Sequence, residues 1–176
     1  MISAQQALAN LRAGNDRFVS GIQSFNVSRS RIHREELIES QSPFAIILGC
    51  SDSRVPAEIV FDQGVGDLFV IRVAGNIVAP SQVGSVEFAA ERLGTRLVVV
   101  MGHSNCGAVR ATLEELQQPT DDHSSNLLSI IGRIRPSVEE LLSSGLTDNP
   151  ESLIEHAVRA NVRHSADHLR HGSEVL

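Results

Sequence analysis

The two cysteines of the chain sit in similar surroundings. The stretch Phe44–Val55 reads FAIILGCSDSRV and Leu97–Val109 reads LVVVMGHSNCGAV. In each, an apolar run ends in glycine and a metal-capable residue follows at once: Cys50 in the first, His103 in the second. Cys50-x-Asp52 sets a thiol and a carboxylate on an extended turn. His103-x-x-Cys106 can bring an imidazole and a second thiol to one point as the chain turns into a helix. Two thiolates, one imidazole and one carboxylate make a four-ligand set of the kind zinc accepts, with Zn–S near 2.3 Å. Thiolates select zinc over magnesium or calcium.

Blander roles compete for the same residues. Cys50 and Cys106 can be buried free thiols that pack as small hydrophobes, with Asp52 and Asn105 as turn or cap residues. They can also form a disulfide, which a reducing compartment disfavours. A cysteine nucleophile is the rival chemistry; it needs a general base and an anion pocket, and the interval from Cys50 to Arg54 is short for a phosphate-binding loop.

The elements around these residues decide whether they can meet. Ser3 and Gln6 form a capping box before a helix with Leu8, Leu11 and Phe18 on its apolar face, and Gly21 ends it. A second helix is expected from Ser28 to about Ser40, carrying Ile32, Leu37 and Ile38, and Ser42-Pro43 breaks it. Phe44–Leu48, Leu68–Val73 and Leu97–Met101 read as short buried strands. Pro56 suits the first turn of a short helix with Ile59 and Val60. Further helices are expected over Ser81–Leu93, with Val83, Val86, Ala90 and Leu93 inward, and over Ala108–Leu116. Two shorter segments follow at Leu127–Ile134 and Ser137–Leu142. A long final helix runs from Asn149-Pro150 to about His171, its apolar residues being Leu153, Ile154, Ala157, Val158, Val162 and Leu169.

Near-continuous apolar strands alternating with helices predict an α/β fold, a mainly parallel central sheet flanked by helices. Such sheets bind ligands beyond the carboxyl ends of their strands. Cys50 and His103 lie just past the ends of the first and third strands, so both junctions can meet at one rim.

The chain has 176 residues, 41% hydrophobic and 20% charged, which suits a single domain over 1–176. Net charge is −6 and no basic cluster is dense enough for nucleic acid or an anionic membrane; SRSRIHRE (Ser28–Glu35) is followed directly by acidic residues. No apolar run approaches the roughly 18 residues of a membrane span. The N-terminus lacks the pattern of a secretory signal, so a cytoplasmic location is expected. Gly64-x-Gly66 precedes a strand and lacks a third glycine, so it reads as a turn instead of a dinucleotide fingerprint. His164, His168 and His171 share a face of the last helix and read as a solvated surface near its C-terminus.

CSDSRVPAE (Cys50–Glu58) and GHSNCGAV (Gly102–Val109) together resemble the β-class carbonic anhydrases of bacteria. The likeness extends through GDLFVIRVAGNIV and GSVEFAAERLG and covers nearly the whole chain. It implies an enzyme with one zinc per chain that interconverts carbon dioxide and bicarbonate, working as a homodimer or homotetramer. By the resemblance Cys50, His103 and Cys106 are zinc ligands, and Asp52 is either the fourth ligand or the partner of Arg54. Gln41 matches a substrate-binding glutamine that reaches across the dimer interface. The Gly107 amide would face a bicarbonate oxygen, and Phe69 would line the apolar pocket. The chain departs from the family twice: it has neither the Trp nor the Tyr that some members use to hold an inhibitory bicarbonate, and a further apolar strand normally follows the last long helix. The helical arm is expected over about 1–40.

Zinc lowers the pKa of a bound water towards neutrality, and two thiolates make it a weaker acid than three imidazoles do. Asp52 would orient that water, Arg54 would keep Asp52 ionised and aimed, and Phe69 with Val73 would offer an apolar wall to a nonpolar gas. Two other functions fit the same residues. One is a hydrolase of carbonyl sulfide or carbon disulfide. The other is a truncated, weakly active or inactive zinc-binding interaction protein.

Overall fold

The computed structural model describes residues 2–22, 37–120, 123–143 and 149–176. Three strands, β1 (Ala45–Gly49), β2 (Leu68–Arg72) and β3 (Val98–Met101), form a parallel sheet in the order β2-β1-β3. The register is what matters for the rim. Gly49 pairs with Arg72 on one side and with Met101 on the other, so all three strands end level. The residues that follow them are thereby delivered to one edge.

Central β1 is wholly buried; Ala45, Ile46, Ile47 and Leu48 have no exposed surface. Burying each of its Ile and Leu side chains contributes about 1.5–3 kcal/mol. Alternation along the strand divides the core. Ile46 and Leu48 face α3 (Pro80–Arg92) with Val86 and Ala89, while Ala45 and Ile47 face α1 (Ala4–Val19) with Leu11. Helices thus cover both faces, as a parallel sheet requires. A third cluster lies past the strand ends. It joins Cys50 and Cys106 to α4 (Gly107–Gln117), α5 (Ser125–Val138) and α6 (Pro150–His171).

The elements follow the local signals closely, with instructive exceptions. Ser3 caps α1 by accepting from the Gln6 backbone N–H, but the Gln6 side chain bonds Asn10 instead of closing the capping box. The buried stripe of α1 is Ala7, Leu11 and Gly14, and Phe18 is exposed. Gly14 is there for proximity: a Cβ on it would lie 1.7 Å from the Phe61 carbonyl oxygen. That close approach docks α1 on the single-turn helix α2 (Ala57–Val60), and Arg17 pairs with buried Asp62 at 2.5 Å. In α2 the buried residue is Ala57, whereas Ile59 is exposed, because one turn has only one inward position. In α3 Ala89, not Ala90, reaches the core.

The two segments expected at 127–134 and 137–142 are one helix, α5, which runs through Pro136 into a 3-10 turn at Glu139–Ser143. Proline cannot donate to the carbonyl four residues earlier. That residue, Gly132, is exposed, so water can supply the missing bond. The helix expected over 28–40 lies largely outside the described residues, and its end, 37–39, forms a turn. Among the described residues no helix is long and apolar enough to cross a membrane.

Candidate metal centre

The Cys50 thiol follows β1 directly and points into the third core cluster, only 5% exposed. His103 follows β3 by one residue. Cys106 is the N-cap of α4, so the chain between them makes a single tight turn, with Asn105 in the left-handed region at φ 54°. The three ligand atoms lie within 4.8 Å of one another, and the two sulfurs are 4.0 Å apart.

The proton inventory shows what this cluster is built for. His103 Nδ1 lies 3.0 Å from the Ser104 carbonyl oxygen, an acceptor only, so Nδ1 carries the hydrogen and donates. Nε2 is then a bare lone pair. It is buried, has no hydrogen-bond partner and faces the two sulfurs. A buried imine nitrogen without a donor is costly. A cation here would remove that cost: the residues present fit a thiolate-selecting metal, which Cys50, His103 and Cys106 would hold.

One of the two sulfurs, that of Cys50, is biased toward the anionic form. Cys50 is held well below the usual thiol range, first by the Cys106 S–H, against the effect of burial, and further by the backbone N–H groups of Asp52 and Gly75. Gly75 N–H donates to Cys50 Sγ at 3.3 Å. Cys106 keeps the shared proton and is pushed upward by that pairing and by burial, while the N–H groups of Val109 and Ala108 at the start of α4 pull the other way.

Asp52 stands beside the trio with its carboxylate turned to Arg54. Oδ1 accepts from the Arg54 backbone N–H at 3.0 Å and from Nε at 2.9 Å, and Oδ2 accepts from Nη2 at 2.8 Å. The side-chain and backbone hydrogen bonds from Arg54 hold the carboxyl well below its ordinary range. Asp52 Oδ2 is 3.8 Å from His103 Nε2, too far for a hydrogen bond. Gly107 opens α4 with free space where a side chain would be. Val73 packs against the Cys50 cluster.

Two expected site residues stand elsewhere in the single chain. Phe69 pairs with Ile46, three residues back from the rim, and lies against Phe88 on the α3 face at a ring separation of 6.3 Å. Gln41 is exposed and precedes β1, so it lies toward the opposite rim.

The structure adds residues that the spacing arguments missed. Arg72, last in β2, donates from Nε to the Cys50 carbonyl at 2.9 Å and from Nη2 to the Asp52 carbonyl at 2.5 Å. An arginine closing an apolar strand was the signal available. Asn161 of α6 is buried and donates from Nδ2 to the Gly75 carbonyl at 2.7 Å. Its signal was an amide on the stripe otherwise formed by Ile154, Ala157 and Val158.

A parallel α/β sheet whose level strand ends bring together two cysteines and a histidine defines a fold with a group that could hold a metal ion. Residues 45–176 match the family model described as carbonic anhydrase. A carbonic anhydrase of Mycolicibacterium smegmatis is 42% identical over 146 residues, covering 83% of this chain and 70% of that protein. Carbonic anhydrase 2 of Mycobacterium tuberculosis is 44% identical over 128 residues, covering 73% of this chain and 61% of that protein. Among solved structures, the β-carbonic anhydrase CcaA superposes with a TM-score of 0.69 at 29% identity, covering 94% of this chain and 74% of that one. The chain belongs to the carbonic anhydrase family, in its β class.

Proposed function

We propose that the protein binds one zinc ion per chain through Cys50, His103 and Cys106 and catalyses the reversible hydration of carbon dioxide to bicarbonate. The observation that carries this is the buried, unpartnered His103 Nε2 facing two sulfurs, in a chain of this family. Zinc, when bound, supplies a Lewis acid that makes water a nucleophile near neutral pH. The chain's own residues do the rest. Asp52 stays ionised because Arg54 holds it through three hydrogen bonds, and Oδ2, beside His103, is the atom that accepts a hydrogen bond from the attacking water and orients it. Val73 gives the nonpolar gas an apolar wall. The Gly107 amide, at the start of α4, is a donor for a bicarbonate oxygen.

Gln41 and Phe69 complete this reading only if they come from a second copy, since both stand away from the trio in one chain. The working unit is therefore a homodimer, or a homotetramer built from dimers. A cytoplasmic setting keeps both thiols reduced and available to metal.

Stopped-flow carbon dioxide hydration on the zinc-loaded protein tests the reading. The rate should rise well above buffer, and stripping with a chelator should return it to the buffer rate. A fully zinc-loaded protein that hydrates carbon dioxide no faster than buffer overturns the assignment.

A further inference from the structure

Among the described residues, three buried side-chain polar atoms have no hydrogen-bond partner: His103 Nε2, Asn76 Nδ2 and Asn161 Oδ1. All three belong to the neighbourhood of the metal centre. The first is a ligand atom. The other two belong to amides that the fold alone does not need.

Asn161 lies in the interior of α6 and is 1% exposed. Asparagine is a poor residue for a helix interior, and burying its amide with the oxygen unpaired costs more still. Leucine or alanine would serve packing better, as Ala157 does one turn earlier. What the amide does is fix Gly75. Its Nδ2 donates to the Gly75 carbonyl at 2.7 Å. Gly75 is in the left-handed region at φ 69°, and a Cβ there would lie 2.7 Å from Ile134 Cδ1. Anchoring the carbonyl sets the plane of the following peptide and with it the rotation about Gly75. The N–H of the same residue points at Cys50 Sγ, 3.3 Å away.

The same turn of α6 also holds the second junction. A Cβ on Gly102, the residue before His103, would meet Val162 Cγ2 at 2.6 Å and Val158 Cγ1 at 3.4 Å. One helix face thus grips both ligand-bearing loops, one by a hydrogen bond and one by close packing.

We infer that Asn161 is a positioning residue of the metal centre: through the Gly75 peptide it aims an N–H at the Cys50 thiolate and so raises the affinity of the site for zinc. The inference rests on the reading of Cys50, His103 and Cys106 as ligands. Outer residues that orient metal ligands typically contribute 10- to 100-fold in affinity. Asn161 acts through a backbone peptide, so the lower end of that range is expected.

The test uses the full chain and two readouts. Zinc affinity is measured by competition with a chromophoric chelator, and hydrogen exchange of the Gly75 amide is followed in the metal-free protein. Asn161→Leu should raise the zinc Kd about tenfold and speed Gly75 exchange by a similar factor. Leu169→Ala, a core truncation on the same helix in a different cluster, is the comparison for lost stability; it should leave both readouts within about twofold. If Asn161→Leu does not accumulate folded, Asn161→Ala takes its place. A parent protein that binds zinc together with an Asn161 variant whose zinc Kd and Gly75 exchange both match it overturns the inference. So does a Leu169→Ala protein that weakens zinc as much as the Asn161 variant. A parent protein that binds no zinc overturns the metal reading and this inference together.

Discussion

The junction after β1 and the junction after β3 look alike in sequence and are held in different ways. After β3, support is local. His103 bonds the next carbonyl, Cys106 is the N-cap of α4, and the first N–H groups of that helix face its sulfur. After β1, support comes from far along the chain. Arg72 clasps the Cys50 and Asp52 carbonyls, Gly75 donates to the sulfur, and Asn161 pins Gly75. A motif that carries its own helix needs little else. A ligand on an extended turn has no helix to fix it, and the rest of the fold must do so.

The largest expected effect puts the two junctions on an equal footing. Cys50→Ser and Cys106→Ser each remove a thiolate, and elemental analysis after dialysis against a chelator should find under about a tenth of one zinc per chain in both. Full retention by either removes that residue from the ligand set. Arg72→Ala then separates the junctions. It frees two carbonyls on the Cys50 turn and should raise the zinc Kd about tenfold, measured by chelator competition.

Gly75→Ala follows. Forcing a side chain into the left-handed region at φ 69° costs about 1–2 kcal/mol, and the buried Ile134 must also shift. Urea denaturation of the metal-free protein should show that loss, and an unchanged midpoint would mean the loop relaxes freely. The smallest effect belongs to the β3 side. Arg110 reaches the Asn105 side chain only at 3.5 Å and at the surface. Arg110→Ala should stay within about 0.5 kcal/mol in the same denaturation and leave zinc affinity unchanged. Should Arg110→Ala match Arg72→Ala in zinc Kd, the contrast between the two junctions is wrong.

The same contrast explains what could be read from the sequence. The three strands, the capping serine and the long last helix are dictated by residues within a few positions of each other, and all form where expected. The meeting of Cys50, His103 and Cys106 was legible because both halves sit at strand ends, and a parallel register brings strand ends level. Arg72 and Asn161 were not legible as site residues. Their roles depend on which element packs on which, and a linear pattern does not encode that. Pro136 was misleading for a related reason: a proline usually breaks a helix, yet this one sits four residues after Gly132, whose position is exposed. Gln41 and Phe69 are a further case, since any role for them at the metal depends on assembly, which one chain does not display.

The arrangement β2-β1-β3 also sets a timetable. Cys50 and Cys106 are 56 positions apart, and chain synthesis at about 5–20 residues per second separates their emergence by roughly 3–11 s. For all but the last three residues of that interval the nascent protein offers a metal one thiol and no imidazole from the set. By the proposed reading, capture of zinc would wait until β3 has emerged and docked beside β1, so loading of the ion would record that the sheet has closed.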